Sequence, residues 1–164
     1  MKNKILHYIK EILLFLLFIT IFANALSLYR SNDLNQAPID IDSFSLIDGT
    51  SYLVTNNKPT LLHFWATWCP TCKTEAGNIE TISKYFDVIT IVTKSGNNND
   101  IQKYLDNRNL TFKVVNDEDG SIAEKFNISI FPTTIIYDKN GEIFYSDVGY
   151  TTTFGLWLRM WFAK

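Results

Sequence analysis

Thr60 to Trp65 and Val88 to Val92 are apolar runs that lack the in-out alternation of a half-buried strand. Each reads as a central parallel strand covered on both faces, so the chain must place helices on either side of one sheet. The interval between the runs supplies the first: Pro70 to about Tyr85 is predicted helical, with Ile79, Ile82 and Phe86 as its inward stripe. After a polar loop from Lys94 to Asn99, Asp100 is predicted to cap a second helix whose buried side is Ile101, Tyr104 and Leu105. Phe112 to Val115 reads as a strand and Ile122 to Phe126 as a short helix. Strands alternating with helices indicate right-handed βαβ crossovers and an α/β fold.

The ends of the domain read differently. Phe44 to Ile47 and Tyr52 to Val54, joined across Asp48-Gly49-Thr50, predict an N-terminal β-hairpin. Thr133 to Tyr137 and Glu142 to Val148 flank Asp138-Lys139-Asn140-Gly141, a hairpin turn. Thr152 to Phe162 is predicted as a last helix, and Phe154, Trp157, Leu158 and Trp161 share one face of it, expected to pack on the sheet.

Both cysteines of the chain fall at the first strand–helix junction, in Trp68-Cys69-Pro70-Thr71-Cys72. A cysteine at the start of a helix meets unpaired backbone N–H groups and the positive end of the helix dipole, which favour its thiolate. Cys69 holds that place, and Pro70 suits the first helical position, where a missing N–H costs nothing. Cys72 lies one turn on, on the same face, where it can resolve a mixed disulfide formed at Cys69. A structural bridge closing so short a loop would be a weak staple. A zinc site needs about four ligands, and the chain adds only His7 and His63 to the two cysteines.

Ile12 to Leu28 is almost wholly apolar, broken by Thr20, Asn24 and Ser27 and preceded by Lys2, Lys4 and Lys10. The pattern predicts residues 1–11 in the cytoplasm and 12–29 as a single transmembrane helix of the inner membrane, with the rest exported. Ala23-Asn24-Ala25 also resembles a signal-peptidase site, and cleavage after Ala25 would release a soluble periplasmic protein. Residues 30–42 are polar, carry Pro38 and read as a tether; residues 43–164 form one domain. Of 15 Lys and Arg, three precede Leu28, and of 17 Asp and Glu only Glu11 does, which leaves 12 against 16 and a formal charge of −4 beyond it. No basic patch argues for nucleic acid. Cysteines confined to one CxxC in an oxidising compartment suggest that the pair is the chemistry, with no cofactor called for.

Leu62 to Cys72, together with Phe131-Pro132-Thr133-Thr134, resembles the membrane-anchored, thioredoxin-like thiol–disulfide oxidoreductases of bacterial envelopes, within the TlpA-like thioredoxin superfamily. The likeness runs from about Ile39 to the C-terminus. Val114 to Gly120 and Val148 to Thr152 resemble the suppressor-of-copper-sensitivity D type in particular. The resemblance implies a thioredoxin fold, a four- or five-stranded mixed central sheet flanked by helices, with a central strand–helix insertion at about Ser95 to Val115.

It also implies a set of site residues. Pro132, in a cis bond to Phe131, should lie against the dithiol, with the Phe131 backbone placed to pair with an extended substrate. Glu75, one turn after Cys72, stands where related reductases carry an acid that moves protons; the alternative is a solvated helix-face carboxylate. His63 stands six residues before Cys69, where cytosolic thioredoxins place a buried acid. Neutral, it would shuttle protons; charged, it would favour thiolate; otherwise it is a core histidine bonded to backbone. Trp65 reads as core and Trp68 as an apolar rim for substrates. Gly77 replaces a proline that kinks this helix in many relatives, which leaves the kink open.

These residues describe a periplasmic enzyme exchanging disulfides with protein substrates through Cys69 and Cys72, served by a membrane redox partner. Pro70-Thr71 also occurs in cytochrome c maturation thiol reductases, although Ile130-Phe131-Pro132-Thr133 replaces their usual Gly-Ala-Pro-Glu. A Cu(I)-binding copper-tolerance module using the two thiolates without exchange is the alternative of another class.

Overall fold

The computed structural model of the protein describes residues 7–15, 17–19, 21–22, 41, 43–55 and 57–164. β3 (Thr60–Trp65) is buried at all six positions, including Thr60 and His63, as a strand sandwiched between two helical layers must be. It pairs in parallel with β4 (Asp87–Thr93), which pairs in parallel with β5 (Lys113–Asp117). On its other side it pairs antiparallel with β6 (Thr133–Tyr137), and β6 with β7 (Ile143–Val148). The five-stranded sheet thus runs β5-β4-β3-β6-β7 and is mixed, in agreement with the expected architecture.

Odd and even positions of β3 divide the core. Leu61 and Trp65 join Ile79 and Ile82 of α1 (Pro70–Ser83), Leu105 of α2 (Asn98–Asp106) and Leu156 and Met160 of α4 (Thr153–Phe162). Leu62 and Phe64 join Ile89, Ile91 and Ile135 under Phe126, which ends α3 (Ser121–Lys125), and Phe44 of the hairpin β1 (Ser43–Ser45) and β2 (Ser51–Leu53). That hairpin is a separate two-stranded sheet tied to the rest through Tyr52, whose hydroxyl donates to Asp87. α2 and β5 occupy the stretch where the strand–helix insertion is expected, with β5 at the sheet edge.

Two expectations need correction. The cap of α2 is Asn97, whose Oδ1 accepts from the N–H groups of Asn99 and Asp100, so the helix opens before Asp100. An asparagine one residue before the first helical turn outcompetes an aspartate inside it. The second correction concerns α4, which packs through Leu156, Met160 and Ala163 and leaves Phe154, Trp157, Leu158 and Trp161 exposed. This helix is apolar on both faces, so periodicity could not choose between them. Polar ties on its flanks choose: Thr153 Oγ1 donates to Asn78 Oδ1, and Arg159 pairs with Asp147 at 2.7 Å.

Half of the predicted transmembrane helix at 12–29, residues 16, 20 and 23–29, falls outside the described residues. Residues 7–15, 17–19 and 21–22 are helical and exposed, and among the described residues no helix is long and apolar enough to cross a membrane. The tether at 30–42 lies outside the described residues except for Ile41.

Candidate active site

β3 ends at Trp65, and three residues later the chain turns into α1, whose N-cap is Cys69. Cys69 Sγ accepts from the Cys72 N–H at 3.1 Å, so the sulfur occupies the position that a capping oxygen usually takes. Pro70 starts the helix, and Cys69 and Cys72 are joined as a disulfide with Cα atoms 5.3 Å apart. Both cysteines are buried, at 4% and 2% exposure, while Pro70 and Thr71 between them face solvent. Neither cysteine therefore lies on an open surface.

Two aromatic residues meet next to Cys69. The Trp68 indole donates to the Lys94 carbonyl at 3.1 Å and meets the Phe131 ring edge-on at 5.8 Å. Phe131 precedes Pro132 through a cis bond, and the Pro132 carbonyl accepts from Gly149 N–H at 2.8 Å. Trp68 and Phe131 also line a cleft of about 620 Å³ that continues along Lys94, Asp119 and Ile128. Trp68 is 58% exposed, and Trp65 is buried in the core.

Glu75 is fully buried on α1, which removes the solvated-carboxylate reading. Its Oε1 accepts from Thr151 N–H at 2.9 Å, and its Oε2 is buried with no partner. Burial, and secondarily repulsion from Asp147, push its carboxyl up to about 8 against the opposing pull of the Thr151 N–H and Arg159. Asp147 is itself engaged by Thr151 Oγ1 at 2.9 Å and by Arg159, which also donates to the Tyr145 hydroxyl. Sequence reasoning missed Asp147 and Arg159, because only the meeting of β7 with α4 brings them to Glu75. Thr151 did carry a signal, lying within the Val148 to Thr152 stretch.

His63 points to the same face as Leu61 and Trp65, and its Nδ1 lies 3.0 Å from Thr134 Oγ1 on β6. The partner is a side chain, not the expected backbone group. Burial drives its imidazole down to about 3, so it is neutral at physiological pH and cannot act as a standing positive charge. α1 continues unbroken through Gly77, which is exposed and has open space where a Cβ would stand. Among the described residues, no cluster of three His, Cys, Asp or Glu is arranged to hold a metal.

The Val114 to Gly120 stretch proves architectural. Asp117 is buried and accepts from the N–H groups of Ile122 and Ala123 and from Thr93 Oγ1, pinning α3 to the sheet beside the cleft. Gly120 precedes the helix in a left-handed conformation, with Lys94 packed so close that a Cβ would meet its side chain.

The sequence profile of the AhpC/TSA family matches residues 39–146. A thioredoxin-like protein of Haemophilus influenzae is 34% identical over 133 residues, which cover 77% of this chain and 79% of that protein. Sporulation thiol-disulfide oxidoreductase A of Bacillus subtilis is 27% identical over 111 residues, 63% of this chain and 67% of that one. The crystal structure of StoA from Bacillus subtilis superposes with a TM-score of 0.66 at 24% identity, covering 78% of this chain and 99% of StoA. The pneumococcal exposed lipoprotein thioredoxin Etrx1 of Streptococcus pneumoniae gives 0.65 at 21% identity, covering 76% and 98%. At these identities the two structures speak to the fold, a thioredoxin-like one.

Proposed function

Since the chain belongs to the AhpC/TSA family, we propose that it is a thiol–disulfide oxidoreductase of the thioredoxin-like type, acting on protein thiols and disulfides outside the cytoplasm. The observation that carries the reading is the Cys69–Cys72 pair at the N-terminus of α1, with Phe131, which packs on the same core cluster and meets Trp68 edge-on, joined to Pro132 by a cis bond. Relatives that include an oxidoreductase of sporulation and an exposed lipoprotein thioredoxin support it.

In the oxidising direction a substrate thiolate attacks Cys69 Sγ, the Cys69–Cys72 bond breaks, and Cys72 leaves as a thiolate. Neutral Glu75 returns a proton to that sulfur; a second substrate thiolate then displaces Cys69, which leaves reduced enzyme and oxidised substrate. In the reducing direction Cys69 thiolate attacks a substrate disulfide, and Cys72, its proton taken by the Glu75 carboxylate, displaces the mixed disulfide. Thr151 N–H holds Glu75 Oε1 and leaves Oε2 for the proton. His63 stays neutral beneath the site and supports β3 against β6 through Thr134.

The apolar segment at 12–28 holds the domain at the inner membrane, on its periplasmic side. The exposed apolar side chains of the described helical residues 7–15, 17–19 and 21–22 support this, because such a surface needs a nonpolar cover. Reduced protein should cleave insulin disulfides, and oxidised protein should be reduced by glutathione. Both exchanges vanish in Cys69→Ser; a Cys69→Ser protein that retains either would overturn the assignment.

A further inference from the structure

The outer face of α4 is an exposed apolar surface of the domain that the exchange chemistry does not use. Phe154, Trp157, Leu158, Trp161 and Phe162 are 71%, 42%, 37%, 50% and 59% exposed, and their spacing of three and four places them on one continuous face. Trp157 and Trp161 lie stacked with ring centres 6.3 Å apart and only 4° between planes. Isolated exposed apolar residues need no explanation, but five large ones side by side mark a surface that is covered in use.

α4 contains no acidic residue; Arg159 is paired with Asp147, and at the C-terminal end of the helix Lys164 Nζ stands 5.6 Å from the Phe86 ring. Tryptophans with a cation at one end of an apolar face suit the boundary between anionic headgroups and acyl chains, where an indole keeps its N–H wet and its ring dry.

The N-terminus supplies the occupant. The described residues 7–15, 17–19 and 21–22 are helical, and their apolar side chains, Leu13, Phe15, Phe18 and Phe22 among them, are exposed and therefore uncovered by the domain. Only the 14 residues from Tyr29 to Asp42 separate the end of that apolar run from β1. Fully extended at about 3.3–3.6 Å per residue, they reach roughly 50 Å, so the domain cannot leave the layer next to whatever holds the helix. Tethering of this kind gives a weak surface affinity a high effective concentration.

We propose that the Phe154–Phe162 face of α4 docks on the lipid bilayer that holds the N-terminal segment, with Trp157 and Trp161 at headgroup level and Lys164 against anionic lipid. The proposal rests on the membrane reading given above. Because α4 packs directly on α1, docking fixes the height and tilt of the Cys69–Cys72 pair over the membrane, the arrangement that exchange with a membrane-embedded redox partner demands.

The test uses the full oxidised chain reconstituted with vesicles of phosphatidylethanolamine and phosphatidylglycerol carrying brominated acyl chains, and reads flotation and tryptophan emission. With two of the four tryptophans on this face, emission is expected to be quenched about twofold on flotation. Leu158→Glu/Phe162→Glu, which changes exposed positions only, should float equally and lose most of that quenching. Trp157→Phe/Trp161→Phe should lose it as well, which identifies the quenched rings. A chain that floats with unquenched tryptophans, or whose charge variant stays quenched, overturns the docking while leaving the anchor intact. Failure to float contradicts the anchor itself and the docking with it. Tryptophans shielded from acrylamide but not reached by brominated lipid, in a chain that sediments as a dimer, would assign the face to a second copy and likewise overturn the proposal.

Discussion

Glu75 keeps its proton to about pH 8 in the folded protein, against 4.5 for a free glutamate, chiefly because it is buried. Between those values the folded state holds a proton that the unfolded chain has released, so stability falls as pH rises through this window and levels off above it. Glu75→Gln removes that slope, and urea denaturation across pH should show the variant gaining on the wild type from pH 4.5 to 8. His63 has the opposite sign. Its folded value near 3 lies below the ordinary 6.5, so its contribution is complete above pH 6.5 and is lost as pH falls toward 3. His63→Ala should flatten the acid limb of the same curves. If His63→Ala leaves both the Cys69 thiol pKa and the reduction potential unchanged, its part in the site is confined to packing and the Thr134 bond. Glu75 was legible from its place one turn after Cys72, but its environment was not, because Thr151, Asp147 and Arg159 reach it from the far end of the chain.

At the scale of elements, the strongly patterned segments were read within a few residues: β3 and β6 at their observed limits, α1 from Pro70, and the turn at Asp138 to Gly141. What failed was the choice between equivalent local signals. Asn97 and Asp100 are both capping residues, and α4 offers apolar stripes on two faces; only tertiary contacts decide, and those are absent from a local window. The corrected face makes a sharp contrast. Leu156 is fully buried, so Leu156→Ala should cost about 2–5 kcal/mol in denaturant unfolding, whereas Trp157→Ala should stay within about 0.5 kcal/mol. Thr152 Oγ1 accepts from the Gly155 N–H and caps α4, so Thr152→Ala should cost about 1 kcal/mol. Reversal of the Leu156 and Trp157 effects would restore the aromatic face to the core. The Val114 to Gly120 and Val148 to Thr152 stretches, read by likeness alone, turn out to be joints: Asp117 fastens α3, and Thr151 and Thr152 fasten Glu75 and α4.

On the scale of the whole molecule, the antiparallel pairing of β3 with β6 puts Cys69 and Cys72, which follow β3, at the same end of the sheet as Phe131 and Pro132, which precede β6. The sheet order therefore builds the dithiol site from segments some 60 residues apart. Direction of exchange stays with the reduction potential, since CxxC proteins range from about −270 to about −120 mV on similar frames. The central claim is that Cys69 is the sulfur that bonds to substrate and Cys72 the one that resolves it. Trapping tests this most directly: Cys72→Ser and Cys69→Ser full-length chains are recovered from their own envelope under acid quench and resolved without reductant. The account predicts reductant-sensitive mixed disulfides on Cys69 in the Cys72→Ser chain and few or none in the Cys69→Ser chain. Equal adducts in both, or none in either, would contradict it.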